Sequence, residues 1–234
     1  MPQKTTQQDA VRQIVLDTET TGLNPKGGDR IVELGCIELV NLLPTGERFH
    51  AYFNPERNVP EEVVRVHGLT EEFLSGHPLF AKCVDEFLDF IGDAPLVIHN
   101  AAFDMGFLNA ELTRAGKTPL EMTRAIDTLT LARNKFPGSP ASLDALCKRF
   151  GIDLSAREKH GALLDSALLA EVYLELIGGR QPGLGLTVAE RATASQARPA
   201  EKTFREPRPH GPTEDELALH AAFVTRLKNP LWES

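Results

Sequence analysis

Along the first 178 residues, short apolar runs closed by turn residues alternate with stretches whose apolar positions recur every three or four residues. That mixture predicts strands and helices in alternation. RQIVLD, from Arg12 to Asp17, reads as a strand, and DRIVELGCIELV, from Asp29 to Val40, as a second. After a turn written NLLPTGE comes a third, RFHAYFNP, so the three predict an antiparallel meander. EEVVRVHG and LTEEFLSG predict short helices. LFAKCVDEFLDFIG predicts a longer one, with its stripe at Phe80, Val84, Phe87, Leu88 and Ile91. APLVIHN is a short buried strand, and AAFDMGFLNAELTRAG a helix ending at Gly116. AIDTLTLARNKF and SLDALCKRFG supply further strand-edge and helical pieces, and GALLDSALLAEVYLELIGG is the last strong helix, stopped by two glycines.

From Arg180 to Pro212 the period stops. Pro, Ala, Arg, Ser and Thr dominate, the composition of a flexible linker. A short amphipathic piece, TEDELALHAAFVTRLKNPLW, follows. The expected organisation is a body over 1–179, a linker over 180–212 and a C-terminal segment over 213–234.

Bulk properties narrow the class. The chain has 234 residues, of which 41% are hydrophobic, enough for one good-sized domain plus an appendage. No apolar run approaches the ~20 residues of a membrane span, and MPQKTTQQDAVRQ contains no apolar signal region. Cys36, Cys83 and Cys147 are odd in number and widely spaced, which argues against a disulfide framework or a zinc site. These features predict a cytoplasmic protein without a membrane partner. The net charge is −8, and residues 1–179 hold 17 Lys and Arg against 26 Asp and Glu. Such a body does not favour broad capture of a polyanion. It suits an enzyme that meets phosphate through bound cations, or one held on its substrate by another protein.

The carboxylates are where the pattern breaks. In IVLDTETTG, Asp17 and Glu19 are one residue apart, so in a strand both point to one face, where like charges repel. A solvated strand end would explain two acids alone. In HNAAFDMGFL, Asn100 is placed to cap a helix and Asp104 falls in its first turn, beside Phe103, Phe107 and Leu108 on a surface that should pack inward. In KHGALLDSALLAEVYLEL, Asp165 shares a helical face with Leu168, Leu169, Val172 and Leu176, where a carboxylate is costly without a cationic partner. His160 can meet Asp165 only from a loop before that helix, and Gly161 makes the loop easy. Four inward acids suit Mg²⁺ or Mn²⁺, two of which about 4 Å apart can drive phosphodiester cleavage. His160 would supply a general base near neutral pH.

DTETTG, HNAAFD and HGALLD resemble, in order, the three motifs of the DEDDh 3′→5′ exonucleases, and the likeness spans about Val11 to Leu176. The resemblance implies an α/β fold with a ribonuclease-H-like mixed sheet flanked by helices, followed by a flexible C-terminal tail. It also implies two divalent metal ions, Mg²⁺ or Mn²⁺. Asp17, Glu19 and Asp165 would ligate them, with Asp17 bridging and Asp104 completing the acidic set. His160 would deprotonate the attacking water. EVVRVHG places Glu62 and His67 where the family contacts the terminal nucleotide, although a solvated helix with a capping histidine would leave the same residues.

The match is nearest to proofreading subunits of bacterial replicative polymerases, and the tail supports it. DELALHAAFVTRLKNPLW resembles their polymerase-binding segment, with apolar residues Leu217, Ala221, Val224 and Leu227 at helical spacing. A helix packing on its own body would share that spacing. QPGLGL, Gln181 to Leu186, sits where those subunits carry a sliding-clamp motif, a pattern short enough to arise by chance. The expectation is an exonuclease that proofreads the single-stranded 3′ end of DNA at a bacterial replisome. It would release nucleoside monophosphates and be held through residues 213–234 to the polymerase catalytic subunit. An RNA-processing exonuclease would share the catalytic motifs without needing the tail, and a structural bridge between polymerase and clamp would not need the carboxylates.

Overall fold

In the computed structural model, residues 10–155, 159–178 and 211–226 are described. The body is built on a five-stranded sheet. β1 (Arg12–Thr20) runs antiparallel to β2 (Ile31–Val40), which pairs antiparallel with β3 (Leu43–Tyr52). On its other side β1 runs parallel to β4 (Leu96–Ile98), and β4 parallel to β5 (Ala125–Asp127). The meander and the mixed sheet expected from the sequence are both present.

The turn between β2 and β3 is tighter than expected. NLLPTGE was expected to be loop as far as Glu47, yet β3 begins at Leu43, so only Asn41 and Leu42 turn the chain. Both have positive φ, 51° and 70°, the conformation whose twist matches the flanking strands of a two-residue hairpin. Pro44 is tolerated because β3 is an edge strand.

β1 lies in the middle of the sheet, and its alternation builds two helical layers. Ile14 and Leu16 face a core shared with α3 (Phe80–Ile91) and α4 (Ala101–Arg114), where Phe80, Phe87, Met105 and Leu108 are buried. Val15 faces the opposite core, with Leu146 and Cys147 of α6 (Leu143–Phe150) and Leu168, Leu169 and Val172 of α7 (Ala162–Ile177). Full burial of such side chains contributes about 1.5–3 kcal/mol each, so the layer assignment of β1 is firmly set. Two short helices, α1 (Glu61–His67) and α2 (Glu71–Ser75), cover one end of β2 and β3, with Leu74 packing on Val32.

α4 starts at the expected place by a different device. Asn100 occupies the N-cap position in a left-handed conformation, φ 65°, and its side chain makes no capping bond. Asp127, at the end of β5, accepts instead from the Asn100 and Ala101 amides, from Leu129 N–H and from Thr130 Oγ1. It thereby also caps α5 (Thr128–Lys135). Burial works to raise the Asp127 pKa, but these bonds together hold it below the usual carboxylate value. A lowered acid stabilises the fold above its unfolded pKa near 4, and that contribution is lost as pH falls through the folded value. Asp127→Ala should therefore cost about 1–2 kcal/mol at pH 7. In urea titrations the difference from the unsubstituted protein should shrink below pH 4; a difference independent of pH would contradict the charged cap.

The C-terminal piece forms α8 (Glu214–Val224), closed at its start by a capping box in which Thr213 and Glu216 bond reciprocally. Leu217, Leu219 and Phe223 on it are exposed. The clamp-like Gln181–Leu186, and Leu227 of the expected helical stripe, lie outside the described residues.

Candidate active site

The two faces of β1 carry the site as they carry the cores. Asp17 and Glu19 continue the side of Val15 and are half-buried, while Thr18 continues the side of Leu16. Asp17 lies within the strand rather than at its end, because β1 pairs with β2 as far as Thr20.

α7 is brought onto Asp17 by a missing side chain. Gly35 of β2 is the cross-strand partner of Asp17, and the first turn of α7 rests directly on it. A Cβ at Gly35 would lie 2.4 Å from the carbonyl carbon of Ala162 and the amide nitrogen of Leu163. Ser166 Oγ donates to the Gly35 carbonyl at 2.9 Å, fixing the same contact. Asp165 thus enters the site from the first turn of α7 and is buried, 3% exposed. His160 sits in the loop before that helix, as Gly161 led us to expect, with Nδ1 3.2 Å from Asp165 Oδ2. Its backbone N–H donates to Val66 O at 3.2 Å, which ties the loop to α1. One ligand atom each from Glu19, His160 and Asp165 lie within 4.8 Å of one another, a spacing that fits a metal ion.

Asp104 arrives from the other layer, in the first turn of α4, and is also 3% exposed. Its Oδ1 accepts from the Thr18 amide at 3.1 Å and from Thr18 Oγ1 at 2.6 Å. Burial outweighs these bonds and raises its pKa to about 7. Asp17 is pushed well above the usual carboxylate range, first by burial, then by Asp104, Glu19, Asp165 and Glu33. Every influence on it has the same sign. Converging hard oxygen donors whose charges are mutually unfavourable fit a divalent cation.

Sequence reading missed four contributors. Glu33 is buried opposite Glu19, its carboxylate 2.8 Å from His50 Nε2. Thr18 holds Asp104, and Gly35 admits α7. His99 lines the cleft with Nδ1 2.9 Å from Thr128 Oγ1, and burial lowers its pKa. Gly35 had a signal, since a glycine inside a strand often marks a close backbone approach. The others had none.

One depression borders the carboxylates, and a second lies where the chain continues past β1. A cleft of about 450 Å³ includes Asp17, Asp165, His160, Asn100, Arg133 and Ser142. A groove along Thr21, Gly22 and Leu23 faces α1 and includes Glu62. Glu62 is exposed there. His67 is not a solvated residue: it is 6% exposed, its Nδ1 accepts from Leu69 N–H at 3.0 Å, and its buried Nε2 has no hydrogen-bond partner.

This fold and this convergence of acids define a nuclease of the ribonuclease-H-like class. The family model described as Exonuclease matches residues 14–173. DNA polymerase III subunit epsilon of Rickettsia conorii is 50% identical over 225 residues, 93% of this chain and 97% of that one. The protein of the same name from Escherichia coli is 51% identical over 176 residues, 72% of each chain. Among solved structures, the nuclease domain of 3'hExo, a DEDDh family member bound to rAMP, superposes with a TM-score of 0.63 at 19% identity, covering 72% of this chain and 92% of its own. The chain belongs to the exonuclease family, alongside the DNA polymerase III epsilon subunits.

Proposed function

We propose that this exonuclease proofreads a bacterial replicative DNA polymerase, hydrolysing mispaired nucleotides from the single-stranded 3′ end of DNA and releasing nucleoside monophosphates. The observation that carries the chemistry is the meeting of Asp17, Glu19, Asp165 and Asp104 from two layers, with His160 at the rim. Asp17, Glu19 and Asp165 would hold divalent ions, Mg²⁺ or Mn²⁺, and Asp104 would complete the acidic set. When bound, such ions polarise the phosphate and stabilise the charge that develops on attack. His160, half-exposed and oriented by Asp165, would accept the proton of the attacking water. Thr18 keeps Asp104 aimed at the site. Glu62 and His67 would border the terminal nucleotide, for which the groove beside Glu62 supports the first.

The polymerase partner is supported by the reach of the likeness. The Rickettsia conorii alignment and a 40% match to the epsilon subunit of Haemophilus influenzae cover 93% and 95% of this chain, so both extend past the body. Residues 213–234, with exposed Leu217 and Phe223 on α8, would bind the polymerase catalytic subunit, and Gln181–Leu186 would take the sliding clamp. A tether of this kind raises local concentration without a broad basic surface. It would act at the replisome in the cytoplasm, and no described helix is long and apolar enough to cross a membrane.

The deciding assay uses 5′-labelled DNA and RNA oligonucleotides with Mg²⁺ or Mn²⁺, with EDTA as the control. DNA should shorten from its 3′ end, faster when that end is mispaired, because a mismatch lowers the cost of unpairing. His160→Gln should slow the reaction by about 10²–10³-fold. A preference for RNA would overturn the proofreading reading, and an unaltered rate in His160→Gln would remove His160 as base.

A further inference from the structure

The body is acidic, yet one stretch reverses the sign. Residues 128–151 contain Arg133, Lys135, Lys148 and Arg149 against the single acid Asp144. Lys135 is occupied at the end of α7, where Nζ donates to the Glu175 and Leu176 carbonyls. The other three are exposed. Arg133 stands on the catalytic cleft together with Ser142, the N-cap residue of α6. From Ser142 the outer face of α6 continues at helical spacing through Ala145 to Lys148 and Arg149, while Leu143, Leu146 and Cys147 on the other face are buried. Pro140, Ala145, Lys148 and Arg149 line a shallow open groove along that face. The guanidinium of Arg149 lies 4.4 Å from the centre of the Phe136 ring, which restrains a long side chain in place.

We infer that the outer face of α6, with Arg133, is a track for the sugar–phosphate backbone upstream of the scissile bond. This rests on the proposed nuclease reading. With the terminal nucleotide in the groove beside Glu62, a strand that leaves through the cleft passes Arg133 and, on the outer face of α6, Lys148 and Arg149. Exposed cations along a groove hold single strands through phosphate, without regard to base. The track also explains how an acidic protein retains a frayed end long enough to cut it.

The test compares kcat/KM on a 12-nucleotide strand and on a dinucleotide, too short to extend from the cleft to Lys148 and Arg149. In Lys148→Gln/Arg149→Gln the ratio of the two should fall about tenfold, mostly through KM on the 12-mer. The slope of log affinity against log salt, read by anisotropy of the 12-mer in EDTA, should become shallower by about 1.4. Lys148→Arg/Arg149→Lys keeps both charges and should restore most of the ratio. An unchanged ratio and slope would overturn the track. Equal losses in the charge-keeping pair would also overturn it, since packing on Phe136 would then be the cause. Failure of the nuclease reading looks different: the unsubstituted protein would cut no DNA, while the anisotropy measurement would still read the track.

Discussion

Asp17→Ala is expected to lower kcat by ~10³-fold or more, because it removes the carboxylate on which the other acids converge. The same substitution should raise the melting temperature of the metal-free protein. Asp17 is held well above the usual carboxylate range by burial and by Asp104, Glu19, Asp165 and Glu33, so its ionised form is a burden on the empty site. The sign follows from linkage. Asp104 titrates near 7 in the fold and near 4 when unfolded, and Asp17 is shifted in the same direction. Between those values the folded chain keeps protons that the unfolded chain has released. Stability from these groups is therefore present below pH 4 and declines as pH rises toward 7. The advantage of Asp17→Ala should grow through that window and reverse when Mg²⁺ is added, since only the complete site gains from binding. Scanning calorimetry at pH 4, 5.5 and 7, with and without Mg²⁺, reads all of this. Unchanged activity, or equal stabilisation of both proteins by Mg²⁺, would sink the metal-site assignment.

The second large effect is expected at a residue with no chemistry. Gly35→Ala would place a methyl 2.4 Å from backbone atoms of Ala162 and Leu163, and neither an interior strand paired on both sides nor the first turn of a helix yields easily. α7 must shift outward, taking Asp165 away from Asp17 and disturbing the loop that holds His160. A displacement near 1 Å can cost about 10²-fold in rate, and overpacking costs about 1–3 kcal/mol. Circular dichroism below the melting transition should show an intact fold beside the lost activity, and Mn²⁺ affinity measured by calorimetry should fall with it. Normal rate and metal affinity in Gly35→Ala would mean that α7 is not set by this contact. Asp17→Ala should differ in one respect: it loses activity without losing stability.

These two residues mark the limits of sequence reading. Asp17 and Glu19 were legible because strand period alone puts them on one face, and Asp165 because a charge on an apolar helical stripe demands a partner. His160 was legible through Gly161, which opens the loop that lets it reach Asp165. The order of elements, the meander and the last helix followed from periodicity, which the local backbone geometry enforces. The turn at Asn41–Leu42 did not, because its length depends on how β3 pairs at the sheet edge, and Asn100 makes no side-chain cap because it is held in a left-handed conformation, its amide and that of Ala101 bound by Asp127 of a neighbouring strand.

By itself, then, the sequence determined which residues could do chemistry: residue type and local period depend only on the chain's own geometry. Only the tertiary structure decided that Asp104 meets the site from the layer opposite Asp165, held there by Thr18. It alone placed Glu33 behind Glu19 and made Gly35 the seat of α7. Each of these is a contact between residues far apart in the chain, and its position is set by the packing of two helical layers on β1 rather than by any pattern within a segment.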